Sequence, residues 1–200
     1  VASTKAYVGQ TLLLTFTAFS CAKARGLVDE SLMDEVLVEA EKIPGKIKAI
    51  LEGNSFKRLA EEYAASEKFF YIGRNIHYPT ALEGALKIKE IAYVHAEGYP
   101  AGELKHGPLA VLDEDTVVVA LLDKGVLAGK IESNISEAKA RNAKVITVGE
   151  EGDIRIPDCV REFSPILAII PLQMFSYYFS VLKGLDPDKP RNLAKSVTVE

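Results

Sequence analysis

Between residues 81 and 108 the sequence reads ALEGALKIKEIAYVHAEGYPAGELKHGP. Glu83, Lys87 and Glu90 recur at spacings of four and three, so on a helix they share one face. A Gly- and Pro-punctuated loop follows and ends in Lys105-His106-Gly107-Pro108. A glutamate, with a reference pKa of about 4.3, is ionised at neutral pH and serves as a base when partly desolvated. A histidine, near 6.5, moves protons in either direction. A lysine becomes a nucleophile only where burial or nearby positive charge strips its proton. Glu90, Lys87 and His106, together with Lys195 far downstream, therefore suit carbonyl chemistry: ring opening, Schiff-base formation and proton transfer between adjacent carbons.

The same residues admit plainer readings. Lys87 and Glu90 also fit a solvated i,i+3 ion pair. His106 also fits a loop residue that fills a hydrogen bond, and His95, in Tyr93-Val94-His95-Ala96, a satisfied core or strand histidine. His77 follows a Gly73-Arg74-Asn75 turn that matches neither a dinucleotide fingerprint nor a phosphate loop. Spacing alone does not choose between these.

The elements that must position these groups follow from periodicity. Residues 6–25 are helical by pattern, with Gly26 as the C-terminal stop. A second helix opens at Asp29 or Glu30 and runs to Leu51 with an interruption at Pro44-Gly45, and a third, 55–64, has Asn54 as its N-cap. The pattern changes at Lys68. Short continuous apolar runs at 69–72, 116–122 and 144–148, and a weaker one at 159–163, read as buried parallel strands. Helical segments at 79–93, 126–142 and 165–183 separate or close them. This predicts an α/β fold: a doubly wound parallel sheet flanked by helices, preceded by a helical segment. Such sheets bind ligands beyond the carboxyl ends of their strands.

Composition narrows the function classes. The net charge of −4 leaves no electrostatic footprint for nucleic acid or an anionic membrane. The apolar run 165–182 is long enough to raise a membrane span, yet two prolines, Gln173, two serines and two tyrosines interrupt it, so it reads as a buried helix. Cys21 and Cys159 form no metal or redox pattern and read as buried small apolar residues of a cytoplasmic protein. With no metal cluster and no prosthetic-group motif, neither metal nor cofactor is expected. The tail 185–200 is either a frayed terminus or, through Asn192-Leu193-Ala194-Lys195-Ser196-Val197, a segment built to dock.

The stretch ALEGALKIKEIAYVHAEGYPAGELKHGPLAVL together with the terminal PRNLAKSVTVE resembles the isomerizing glutamine:fructose-6-phosphate amidotransferases, in the C-terminal part of their sugar isomerase (SIS) region. The resemblance implies a helical tail of a first SIS domain over 1–66, a second SIS domain over 67–184, and a tail over 185–200 carrying a catalytic lysine. It implies conversion of fructose 6-phosphate and glutamine-derived ammonia to glucosamine 6-phosphate, a step of hexosamine biosynthesis. By that likeness Lys195 forms the sugar imine, Glu90 moves the proton between C1 and C2 with Lys87 assisting, and His106 opens the ring in a neighbouring subunit, which implies a homodimer. Val1 and Ala194 resemble positions whose backbone contacts the sugar. A glutaminase, whose N-terminal Cys neither Cys21 nor Cys159 replaces, and the phosphate-binding loop of a first SIS domain are the implied partners; Ser3-Thr4 resembles only the trailing edge of that loop. Another SIS phosphosugar isomerase or deaminase, or a non-catalytic phosphosugar-binding module, are the alternatives.

Overall fold

A computed structural model describes residues 2–53 and 56–191. Val1, Ala194, Lys195 and the expected N-cap Asn54 lie outside the described residues.

Three helices lead: α1 (Lys5–Ala24), α2 (Glu30–Gly53) and α3 (Phe56–Glu62). Gly26 ends α1 with φ +66, and the Leu27 N–H reaches back 2.9 Å to the Ala22 carbonyl, so the expected stop is in place. Asp29 Oδ1 accepts the Leu32 N–H at 2.9 Å and caps α2. The expected interruption of α2 does not occur, and Pro44 sits inside a continuous helix. A proline removes one backbone hydrogen bond. Here the same apolar stripe continues across it, from Val36 and Ile43 to Ile50, and burial of that stripe holds both halves in line.

The sheet follows, with β1 (Lys68–Gly73), β2 (His95–Pro100), β3 (Thr116–Leu121), β4 (Lys144–Gly149) and β5 (Ile154–Arg155) in the order β2-β1-β3-β4-β5, every pair parallel. Helices α4 (His77–Ala92), α5 (Ala128–Lys139) and α6 (Ser164–Leu182) cover its two faces. Alternation along the strands makes the two cores. Phe69, Tyr71, Val117, Val119 and Leu121 face α4 and α6, whereas Phe70, Ile72, Val118 and Ala120 face Ile131, Ile135 and Ala138 of α5. Both faces being covered explains why β1 and β3 read as unbroken apolar runs. Val36, Ile43, Ile50, Phe56 and Ala60 of the leading helices join the first of these cores.

Two strand expectations change. The stretch HAEGYP, expected as loop, is the edge strand β2, in register with β1 from Lys68↔His95 to Gly73↔Pro100. Its Gly98 is the reason it looks loop-like, and the glycine is required: a Cβ there would stand 2.7 Å from Leu82 Cα of α4. Conversely, residues 159–163 form no strand. The fifth strand is the short β5, and Pro157, which has no N–H to donate, follows it; Arg161–Phe163 is a 3-10 turn that leads into α6.

The apolar run is the core helix α6. Its Phe175 and Phe179 meet Phe69 edge-on at 6.0 and 5.4 Å. This helix is long and apolar enough to cross a membrane, yet two thirds of its most apolar stretch is buried inside the fold. Cys159 is buried as expected, but Cys21 is exposed, because α1 buries none of its residues among those described.

Candidate functional site

Helix α4 carries three of the predicted groups, and its approach to the sheet is set by small residues. A Cβ on Gly73 would meet the His77 carbonyl at 2.4 Å, and one on Gly84 would meet Leu172 at 2.5 Å and Tyr71 at 3.0 Å. The helix therefore lies tight between β1 and α6. Asn75, with φ +47, makes the left-handed step from strand to helix that a short polar side chain tolerates.

This placement buries Lys87 to 3% exposure. Its Nζ lies 2.8 Å from Glu83 Oε1 and donates to the Ser3 carbonyl at 2.9 Å. The solvated Lys87–Glu90 pair allowed by spacing is thus replaced by a buried Lys87–Glu83 pair one turn back. Glu90 is half-buried on the same helix. A buried lysine needs such partners, since an unpaired charge away from water costs several kcal/mol.

Lys87 borders a cavity of about 240 Å³ between the chain start, α4, α6 and the C-terminal segment, with Ala2, Gln173, Tyr177, Pro187 and Asp188 also in its wall. The Gln173 Nε2 group is buried and has no hydrogen-bond partner among the described residues. Sequence reasoning missed Gln173 and Asp188 as site residues. Gln173 sits in an apolar helix, and the one signal it gave, a polar residue in a run of 18, read as an argument against a membrane span.

The C-terminal segment is held beside this cavity. Tyr93 ends α4 in the left-handed region at φ +57, which turns its phenol outward. The phenol oxygen accepts the Arg191 backbone N–H at 2.6 Å, and the Arg191 guanidinium stacks on the ring at 4.1 Å. Lys195 is four residues on from Arg191, which bounds the reach between their backbones to about 14 Å. At the other end, Tyr7 of α1 shares a hydrogen bond with Thr80 at 2.9 Å and fixes the chain start against α4.

His106 stands elsewhere. It is exposed at the end of the 3-10 turn Ala101–His106, which is anchored on the α5 side of the sheet through Leu104 and a 2.8 Å Lys105–Glu137 ion pair. It takes no part in the wall of the Lys87 cavity. Within one chain the structure brings Lys87 and Glu90 together on α4 and leaves His106 on the other side. His95, expected in a core or strand, opens β2 but is exposed, 3.5 Å from Glu97.

His77 is buried to 2% exposure and lies in the wall of a cavity of about 200 Å³ beyond the carboxyl ends of β3 and β4. The Ser164 hydroxyl donates to the Arg161 carbonyl at 2.6 Å, so at 3.1 Å its oxygen accepts from His77 Nε2. Burial pushes the His77 pKa down to about 4 and outweighs the opposing pull of Asp123, with Arg161 adding to the depression. Asp123, Lys124 and Glu150 in its wall are each engaged in an ion pair. Asp123 takes a two-point fork from Arg161 at 3.0 and 2.7 Å; burial alone would raise its pKa, but that fork and the Lys124 N–H bring it below the usual range. Lys124 bridges Glu150 and Asp158. Beyond the carboxyl ends of these strands lies a closed ion network, while the lysine and glutamate expected to do chemistry lie along α4. Among the described residues no group of His, Cys, Asp and Glu is arranged to hold a metal ion.

Comparison with known proteins places this architecture. The SIS domain family model matches residues 62–158. Over its whole length the chain is 46% identical to the glutamine–fructose-6-phosphate aminotransferase [isomerizing] of Thermococcus kodakarensis and 44% identical to that of Bacteroides thetaiotaomicron, covering 35% and 34% of those proteins. The chain thus spans about a third of the length of the curated relatives it matches. The C-terminal domain of glucosamine-fructose-6-phosphate aminotransferase from Francisella tularensis superposes with a TM-score of 0.86 at 33% identity, over 93% of this chain and 56% of that one. A glucosamine-6-phosphate deaminase from Thermotoga maritima gives a TM-score of 0.67 at 26% identity, over 96% of this chain and 57% of that one.

Proposed function

Because the chain belongs to the SIS domain family, and matches isomerizing glutamine–fructose-6-phosphate aminotransferases along its whole length, we propose that it is the C-terminal isomerase portion of such an enzyme. In this reading it works with a glutaminase and a first SIS domain in the cytoplasm, and the assembly converts fructose 6-phosphate and glutamine-derived ammonia to glucosamine 6-phosphate. The Lys195 amine attacks the open-chain C2 carbonyl and forms the imine with loss of water; ammonia then adds at C2 and expels the Lys195 amine, leaving an unsubstituted imine on the sugar. Glu90 takes a proton from C1 and returns one at C2, with Lys87 beside it, and His106 of a second subunit opens the ring, so the active form is a homodimer. Val1 and Ala194 offer backbone groups to the sugar hydroxyls.

The observation that carries the reading is the setting of Lys87. A lysine buried on the Glu90 helix borders a cavity whose wall includes Pro187 and Asp188, and Arg191 is fastened to the end of that helix. This supports delivery of Lys195 from the same side. The anchoring of His106 away from this cavity supports its service to a neighbouring subunit. The deaminase alternative rests on a more distant likeness, 26% against 43–46% identity.

The test is synthase activity in the assembled enzyme. Lys195→Ala is expected to abolish glucosamine 6-phosphate formation while sugar phosphate still binds. Unchanged synthesis in that variant would overturn the imine role and favour a phosphosugar-binding module.

A further inference from the structure

His106 closes its 3-10 turn next to Gly107, whose φ of +135 only glycine adopts with ease, so the direction of the imidazole depends on how that turn is held. Burial of Ala101 and Leu104 fixes one side. The other side overlooks an open cleft of about 760 Å³ walled in part by Lys105, Gly107, Glu137 and Arg141. Across it Lys105 Nζ lies 2.8 Å from Glu137 Oε1 of α5. The second Glu137 oxygen accepts from Asn134 Nδ2 at 3.1 Å. Asn134 Oδ1 accepts in turn from both Arg74 Nε and Nη2, at 3.1 and 2.8 Å, and Asn134 is 3% exposed. Arg74 also lies beside the turn: a Cβ on Gly102 would sit 3.4 Å from its Nη2.

An exposed Lys–Glu pair on its own contributes little to stability. This one ends a relay that begins just past the carboxyl end of β1, passes through a buried amide whose orientation the Arg74 fork fixes, and reaches the His106 turn at Lys105. Lys105, as the first partner, and Asn134 hold the Glu137 carboxyl below its ordinary pKa. We infer that Glu137, oriented by Arg74 through Asn134, is a positioning residue that holds Lys105 and thereby sets where His106 stands. The inference rests on the reading of His106 as the ring-opening group. It adds three residues, none adjacent to His106 in sequence, on which that step depends.

The test is steady-state kinetics of the assembled enzyme in two backgrounds. Glu137→Ala, and more mildly Glu137→Gln, which keeps a partner for Asn134, are expected to lower kcat about tenfold and less than that, respectively, with KM for fructose 6-phosphate changed by less than about twofold. In a His106→Ala background, adding Glu137→Ala is expected to cost nothing further, because the positioned group is gone. An additive loss in that background, or an unchanged kcat for Glu137→Ala where His106→Ala is inactive, would overturn the positioning role and leave the His106 assignment standing. Full activity of His106→Ala would overturn the assignment beneath it.

Discussion

Lys87 Nζ lies 2.8 Å from Glu83 Oε1, one helical turn apart, with the lysine side chain 4% exposed and the glutamate 18%. Removing one partner strands the other, whereas replacing both by apolar chains of similar volume removes the desolvation cost along with the attraction. Glu83→Ala is therefore expected to destabilise the chain by about 3 kcal/mol, and the double replacement Glu83→Leu with Lys87→Met by much less or not at all. Urea unfolding of both variants checks this. Equal losses for the two would show that the pair is not what holds this part of α4.

His77 makes stability depend on pH. Its folded pKa of about 4 lies below the ordinary 6.5, so below about pH 6.5 the unfolded chain takes up a proton that the folded chain refuses until about pH 4. Its contribution is complete above pH 6.5 and is lost as pH falls through that window, by about 3 kcal/mol in all. His77→Gln, which retains a donor for Ser164 but does not titrate, is expected to flatten the stability curve there. Urea midpoints across the window measure it, and an unchanged slope in the variant would contradict the assignment.

Tyr93 holds the segment that leads to Lys195 by one hydrogen bond and one ring contact. Tyr93→Phe keeps the ring and deletes the acceptor, and a neutral hydrogen bond contributes about 1 kcal/mol. Exchange of the Arg191 amide is expected to quicken about fivefold, with the amides of α6 unaffected. Exchange at the parent rate would mean that this contact does not restrain the segment.

Much of the fold was legible because its signals are strong. Unbroken apolar runs such as TVVVAL have no stable place except between two helical layers, and the helices between them carry clear stripes. What failed did so for local reasons that only tertiary contacts reveal. Gly98 reads as a loop residue until Leu82 is seen against it. Pro44 reads as a break until the stripe on both sides is seen buried. At the site, spacing put Glu83, Lys87 and Glu90 on one face but could not say which carboxylate the lysine meets, because that depends on how the helix is rotated against α6. The relay from Arg74 to Lys105 was invisible, since its members are scattered over the loop after β1, α5 and a turn, and their types are common on any surface.

The central claim is that a lysine from the C-terminal tail forms an imine with the sugar at the site on α4. Reduction of the assembled enzyme with borohydride in the presence of fructose 6-phosphate, followed by mass mapping of the peptides, tests it most directly. One reduced sugar adduct is expected, on Lys195, lost in Lys195→Ala and retained in Lys87→Met. An adduct on Lys87, or none on either lysine under conditions that support synthesis, would contradict it.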